Sequence, residues 1–222
     1  MLVIENLCKN YVIKGQSVCA NKNISLSVKD GEMIWIKGNS GAGKSTFLNL
    51  ISGIDDFDSG SIKWGDFDFA KKSRSDFSKF RLENCGIIFQ FFELLKTQNA
   101  FNNAILPLKI AKNTSIKKDF VFDLFSEFEI SNLIKKYPSQ LSGGEKQRVG
   151  IIRALVNKPK YLLADEITAS LDVDMSKKVY EFLRNYIKTQ NGIGFFVSHD
   201  FIISDYVDSC YEMTNGNIKK IF

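Results

Sequence analysis

The chain has 222 residues, enough for one large domain or two small ones with a substantial core. Its 44% hydrophobic and 25% charged residues are ordinary for a globular protein, and no apolar run approaches the roughly 18 residues that span a bilayer. The net charge of +5 is carried in part by dispersed pairs (Lys71-Lys72, Lys117-Lys118, Lys135-Lys136, Lys177-Lys178, Lys219-Lys220), which read as a solvated surface rather than a nucleic-acid groove.

The start, Met1-Leu2-Val3-Ile4-Glu5-Asn6, lacks a basic segment followed by a long apolar stretch, so no secretory signal is visible and a cytoplasmic location is expected. Cys8, Cys19, Cys85 and Cys210 are scattered without a C-x-x-C pair and read as reduced thiols. A single histidine argues against a histidine-based metal site. No zinc-finger, RRM or KH pattern and no internal repeat is evident.

In chain order, the first thirty residues are β-rich, with strand character at Leu2-Val3-Ile4 and alternation from Ile24 to Val28. Lys29 to Glu32 reads as a turn into a short buried strand, Met33 to Ile36. Gly38-Asn39-Ser40-Gly41-Ala42-Gly43-Lys44-Ser45-Thr46 then fits the phosphate-loop pattern G-x-x-x-x-G-K-[ST] in full, and Thr46 to Ile51 reads as the start of an amphipathic helix. Glycines let the backbone turn tightly, so successive N–H groups converge on one point. The helix N-terminus adds its partial positive charge there. In this pattern Lys44 reaches the β- and γ-phosphates and the Ser45 hydroxyl ligates Mg²⁺. A strand before and a helix after favour that reading over a glycine-rich turn that binds nothing. Lys44 itself is expected to lie outside the core.

Asp55 to Gly60 reads as a loop, Ser61 to Trp64 and Gly86 to Phe89 as strands, and Ser75 to Leu82 as a helix between them. From about Phe91 to Val156 the character is helical: apolar residues recur from Phe101 to Ile110, then at Phe120, Val121, Leu124, Phe125 and Phe128. Strands return at Tyr161 to Ala164 and Gly194 to Val197, with a helix from Met175 to Lys188 between them, which suggests a parallel core. Cys210 to Met213 and Ile218 to Ile221, joined through Asn215-Gly216, read as a closing hairpin.

Two further motifs follow the phosphate loop. In Leu141-Ser142-Gly143-Gly144-Glu145, Ser142 is a good helix N-cap with Glu145 three residues on, as in a capping box. A helix N-terminus is also an anion site, so cap and ligand contact are compatible. Leu162-Leu163-Ala164-Asp165-Glu166 is an apolar strand ending in two carboxylates, where open α/β sheets bind ligands. Taken alone, it reads equally as a strand that ends in a solvated acidic turn.

The phosphate loop, the L-S-G-G-E run and the strand ending in Asp-Glu, in this order, resemble the ATP-binding cassette (ABC) ATPases from about Leu2 to Ile221. The resemblance implies an α/β fold: a P-loop NTPase of ABC type, with a RecA-like core, an N-terminal antiparallel β subdomain and an inserted α-helical subdomain. It implies one nucleotide-binding domain over residues 1–222, with residues 91–156 as that insert. The cofactors implied are ATP and Mg²⁺. Lys44, Glu166, His199 and Gln90 take the catalytic roles: Glu166 polarises the attacking water, and His199, in Ser198-His199-Asp200, contacts the γ-phosphate. Gln90 matches the family's Q-loop glutamine, near metal or water; Asp165 and Ser45 join it at Mg²⁺. ATP is held by Gly38 to Thr46, by Ser142, Gly143 and Gly144 of a second subunit, and by Tyr11 stacked on adenine. Ser170-Leu171-Asp172 matches the D-loop at the dimer interface. Without the resemblance, a lone Gln is usually a surface residue, a lone His more often structural, and Tyr11 a core residue.

The chain departs from the family at three places. Ile167 follows the acid where Pro is usual, Thr168-Ala169-Ser170 replaces T-G-x, and Ile152 stands where Ala is usual. Loss of Pro leaves the turn after Glu166 less constrained. Phe89 to Leu95, Asn99 to Pro107 and Tyr137 to Leu141 resemble the lipoprotein-releasing (Lol-type) and MacB-type exporter ATPases, and Gly150 with Val156-Asn157-Lys158-Pro159 also resembles the cell-division ATPase FtsE. This implies an integral membrane permease partner, a homodimer, a peripheral place on the cytoplasmic face of the inner or plasma membrane, and no nucleic acid. Two alternatives remain open: a soluble cassette acting on ribosomes or nucleic acid, and a regulatory module that binds nucleotide but hydrolyses it poorly.

Overall fold

The computed structural model describes residues 1–112 and 118–222, the side chain of Ile13 aside; Lys117 of the predicted basic pairs and part of the 91–156 insert lie outside the described residues. Four strands form an antiparallel sheet in the order β2 (Gln16–Val28), β1 (Leu2–Ile13), β4 (Ser59–Trp64), β5 (Phe67–Asp68). A mixed sheet of six runs β10 (Asn217–Lys220), β9 (Ser209–Thr214), β3 (Met33–Lys37), β8 (Ile193–Val197), β7 (Tyr161–Asp165), β6 (Cys85–Ile88). Its β9–β3–β8–β7–β6 part is parallel, and β10 pairs antiparallel with β9 through the Asn215-Gly216 turn, both residues at positive φ. Asn-Gly suits a two-residue hairpin because both positions need left-handed backbone.

The first hairpin is longer than expected. β1 and β2 stay paired out to Ile13 and Gln16, whereas the apolar patterning marked only Leu2–Ile4 and Ile24–Val28. The outer half of β2 is exposed on both faces, and Val12 and Val18 stand in solvent, so no buried alternation announces this part of the hairpin.

Between β3 and β4 runs α1 (Lys44–Ile51), and between β5 and β6 runs α2 (Arg74–Asn84), capped by Ser73 with Asp76 in a capping box. No strand occurs among the described residues of 91–156. The expected helix over Phe101–Ile110 is two short ones, α3 (Ala100–Ala104) and α4 (Leu106–Ile110). Pro107 explains the break, since its ring fits only the first turn of a new helix. α5 (Lys118–Glu127) and α6 (Gly143–Leu155) complete this region, and α7 (Val173–Thr189) leads from β7 to β8.

Two apolar cores flank the six-stranded sheet. One packs α1 and the antiparallel sheet against its first face, with Phe47 edge-on to Phe195 and Trp64 against Tyr161 at 4.1 Å. The other joins α7, α6 and the helical region to its second face through Tyr180, Leu183, Ile151 and Phe125. Central strands buried on both faces carry continuous apolar runs, as in Ile193–Val197, where every residue is buried. The C-terminal ends of β3, β6, β7 and β8 therefore converge along one edge, on a rigid frame.

Candidate nucleotide site

The segment after β3 wraps the start of α1. Gly38 has φ 150° and Gly43 φ 101°, and a Cβ added at either would lie 2.2 Å from the Met213 carbonyl oxygen or 2.1 Å from that of Ala20. Only glycine fits so close to β9 and β2. Lys44 is buried, contrary to the expectation that it lies outside the core. Its ammonium folds over the loop and donates to the Gly38 and Asn39 carbonyls at 2.7 and 3.0 Å, which satisfies the charge as it leaves water.

A cavity of about 860 Å³ opens above this loop. Ser40, Gly41, Gly43, Lys44, Ser45 and Thr46 of the loop line it together with Gln90, Asp165, Glu166, His199 and Tyr11. Each element delivers its residue from a strand end: Gln90 just past β6, Asp165 and Glu166 at the tip of β7, His199 just past β8. Hydroxyl, amide and carboxylate oxygens from Ser45, Gln90 and Asp165 form a donor set of the hard kind that Mg²⁺ prefers.

Glu166 has φ 49° and its N–H donates to the Val197 carbonyl at 2.9 Å. Its carboxylate accepts the His199 backbone N–H at 3.3 Å and stands 3.5 Å from His199 Nε2. Burial raises the Glu166 pKa above the usual carboxylate range, against the pull of His199. Tyr11 is half-buried and its hydroxyl donates to Asp55 at 2.5 Å. Lys9 donates to the same carboxylate at 3.0 Å. Burial would lift the Asp55 pKa, but the hydrogen bonds from Tyr11 and Lys9 outweigh it and hold the carboxyl below its ordinary value. Tyr11 is thus anchored by its rim and not packed as a core ring.

Asn39 and Ala42 support the loop without lining the cavity, and Ser142, Gly143 and Gly144 do not reach it. Ser142 caps α6, with Glu145 returning the bond in a capping box. Gly144 packs on Ser170, whose carbonyl oxygen an added Cβ would meet at 2.7 Å. The structure also brings in Val18, Cys19, Ala20, Ala169 and Asn215, none of which the sequence motifs mark as part of the site.

A family pattern described as ABC transporter matches residues 21–169. The chain belongs to the ABC transporter family. It is 35% identical over 218 residues to the lipoprotein-releasing system ATP-binding protein LolD of Colwellia psychrerythraea, covering 97% of this chain and 84% of the relative. It is 37% identical over 221 residues to HrtA of Staphylococcus aureus, provisionally named as a hemin import ATP-binding protein, covering 98% of each. Among solved structures, the dimeric bacterial ABC transporter cassette MJ0796 superposes with a TM-score of 0.93 at 28% identity, over 100% of this chain and 99% of that one. A dimeric post-hydrolysis state of the same cassette, bound to ADP and Pi, superposes equally well. The fold is therefore the ABC cassette, and the protein is an ABC transporter ATPase subunit that binds and hydrolyses ATP. Among the described residues no helix is long and apolar enough to cross a membrane.

Proposed function

We propose that this ATPase drives a membrane exporter or mechanotransducer of the Lol/MacB group, through a partner permease at the cytoplasmic face of the inner or plasma membrane. The whole of residues 1–222 then acts as one nucleotide-binding domain, with 91–156 as its helical subdomain. The observation that carries the catalytic part is the convergence of Lys44, Ser45, Gln90, Asp165, Glu166 and His199 on one cavity. Gly38–Thr46 hold the phosphates, Tyr11 stacks on adenine, and Ser45, Asp165 and Gln90 would hold Mg²⁺, which would supply positive charge against the developing phosphate charge. Glu166 accepts the proton of the water that attacks the γ-phosphorus, and His199 fixes the γ-phosphate. Bond formation to that water and loss of ADP give ADP and Pi.

The permease reading is supported by relatives named for lipoprotein release and by an apolar groove of about 520 Å³ beside the site. Leu82, Ile87, Phe89, Pro107 and Ile110 line it, and Phe89 immediately precedes Gln90, so a helix seated there would feel the nucleotide. HrtA-like relatives favour a second cargo, hemin. The test is co-purification with the membrane partner, followed by ATPase assays in nanodiscs. Stimulation by a lipoprotein supports the Lol-type reading, stimulation by hemin the second, and no membrane partner overturns both.

A further inference from the structure

Behind the cavity, buried hydroxyls join the loop that bears Glu166 to the loop that bears His199. Tyr180 on α7 is fully buried and lines no part of the cavity. Its hydroxyl lies 3.0 Å from Thr168 Oγ1 and 3.3 Å from Ser198 Oγ. Thr168 also donates to Asp200 at 3.2 Å, and Ser198 Oγ accepts the Asp200 N–H at 3.0 Å. Trp35 Nε1 donates to the Ser198 carbonyl at 2.9 Å. Thr168 is two residues past Glu166, and Ser198 directly precedes His199.

The loop after Glu166 needs such a tether. Ala169 N–H closes a turn on the Glu166 carbonyl at 3.4 Å, with Ile167 in its second position. That is where proline, with its fixed φ, stiffens a turn. Here Ile167 packs its side chain into the core but does not fix φ covalently, while Glu166 keeps a left-handed φ of 49° that only its surroundings can maintain.

We propose that Tyr180 is a positioning residue that stiffens a turn built without proline: its hydroxyl clamps Thr168 to Ser198 and so holds Glu166 against His199. This rests on the reading of Glu166 and His199 as the hydrolytic pair. Burial pushes the Tyr180 hydroxyl up to about 12, so it stays protonated under assay conditions. Removing it leaves Thr168 and Ser198 each still bonded to Asp200, so the effect falls on alignment and not on unsatisfied buried groups.

The test uses the full chain without a histidine tag. Tyr180→Phe should lower kcat for ATP about tenfold with KM unchanged, and Tm should fall by no more than about 4 °C. Ile167→Pro added to Tyr180→Phe should restore kcat to within about twofold of wild type. Thr168→Val should reproduce the kcat loss, and Thr168→Val with Tyr180→Phe should be no worse than either alone. A second readout does not depend on hydrolysis. The single histidine gives one imidazole resonance, which should shift in Tyr180→Phe and return in the Ile167→Pro double variant. Unchanged kcat in Tyr180→Phe, additive loss with Thr168→Val, or an unmoved imidazole signal each overturns the clamp. If Glu166→Gln hydrolyses ATP normally while the imidazole responds as described, the reading of Glu166 fails and the clamp stands. If Ile167→Pro does not fold, the Thr168 cycle and the imidazole signal decide alone.

Discussion

Glu166 and His199 face each other across neighbouring strand ends: one carboxylate oxygen lies 3.5 Å from His199 Nε2, and the other accepts the His199 backbone N–H at 3.3 Å. β7 and β8 are parallel partners, with Asp165 opposite Val197, so their register sets this meeting. A shift of one residue would turn every side chain of β7 to the other face and separate the two groups.

Glu166→Gln should keep ATP binding and reduce hydrolysis by at least about a hundredfold, because an amide preserves shape but accepts no proton. Its stability should also change with pH. Burial raises the folded-state pKa of Glu166, so the protein favours the protonated form and the carboxylate costs stability at neutral pH. The substitution should therefore raise Tm at pH 7, and the gain should vanish well below the ordinary carboxylate pKa, where wild type is protonated in both states. Thermal melts at pH 3 and pH 7, with a phosphate-release assay, check both parts.

Lys44→Ala should weaken ATP binding about 10- to 100-fold, the loss of one charge-assisted contact to phosphate. It should also cost about 1 kcal/mol of stability, because the Gly38 and Asn39 carbonyls lose their donor. Calorimetry on mutant and wild type measures the first, a denaturant melt the second. Equal ATP affinities would remove Lys44 from the site.

What could be read from the sequence was local. Gly38 to Thr46 announces itself because backbone turn, donor residues and helix start are contiguous, and Tyr161 to Ala164 because a strand buried on both faces is apolar throughout. Gln16 to Cys19 are exposed throughout and gave no strand signal, although they pair with β1. Burial of Lys44 depends on loop carbonyls that fold back over it, which spacing does not encode. The Tyr180 linkage joins positions 168, 180 and 198, and a tyrosine on the apolar face of a helix looks like any core ring until its hydroxyl has partners.

Arg153 on α6 donates to the carbonyls of Phe92 and Glu93, two consecutive residues at φ 62° and 47°. It thereby ties the segment after Gln90 to the helix that Ser142 caps. Lysine presents one compact charge and cannot hold both carbonyls in the fork geometry of a guanidinium. Arg153→Lys should lower stability by about 1–2 kcal/mol and Tm by about 3–6 °C. Limited proteolysis should cut faster within Phe91 to Leu95, with ATP affinity of the phosphate loop unchanged.

Ser142, Gly143 and Gly144 lie outside the cavity of their own chain and pack beside Ser170, so one copy cannot close both the phosphate loop and this helix start on the same nucleotide. Two copies about a two-fold axis would place each Ser142 helix over the other's ATP, with both nucleotides buried at an isologous interface. The N-terminus of α6 offers unpaired N–H groups and partial positive charge to the γ-phosphate. Glu166→Gln protein should then be monomeric without nucleotide and dimeric with Mg-ATP in light scattering. Ser142→Arg should abolish the dimer by filling the phosphate contact, but it also removes the cap, at about 1 kcal/mol. Ser142→Asp separates the two effects: it keeps the capping acceptor and sets a negative charge against the phosphate. Both variants should stay monomeric in Mg-ATP while binding one nucleotide per chain with the affinity of the parent. A dimer that survives Ser142→Asp would place the second nucleotide contact elsewhere on the chain.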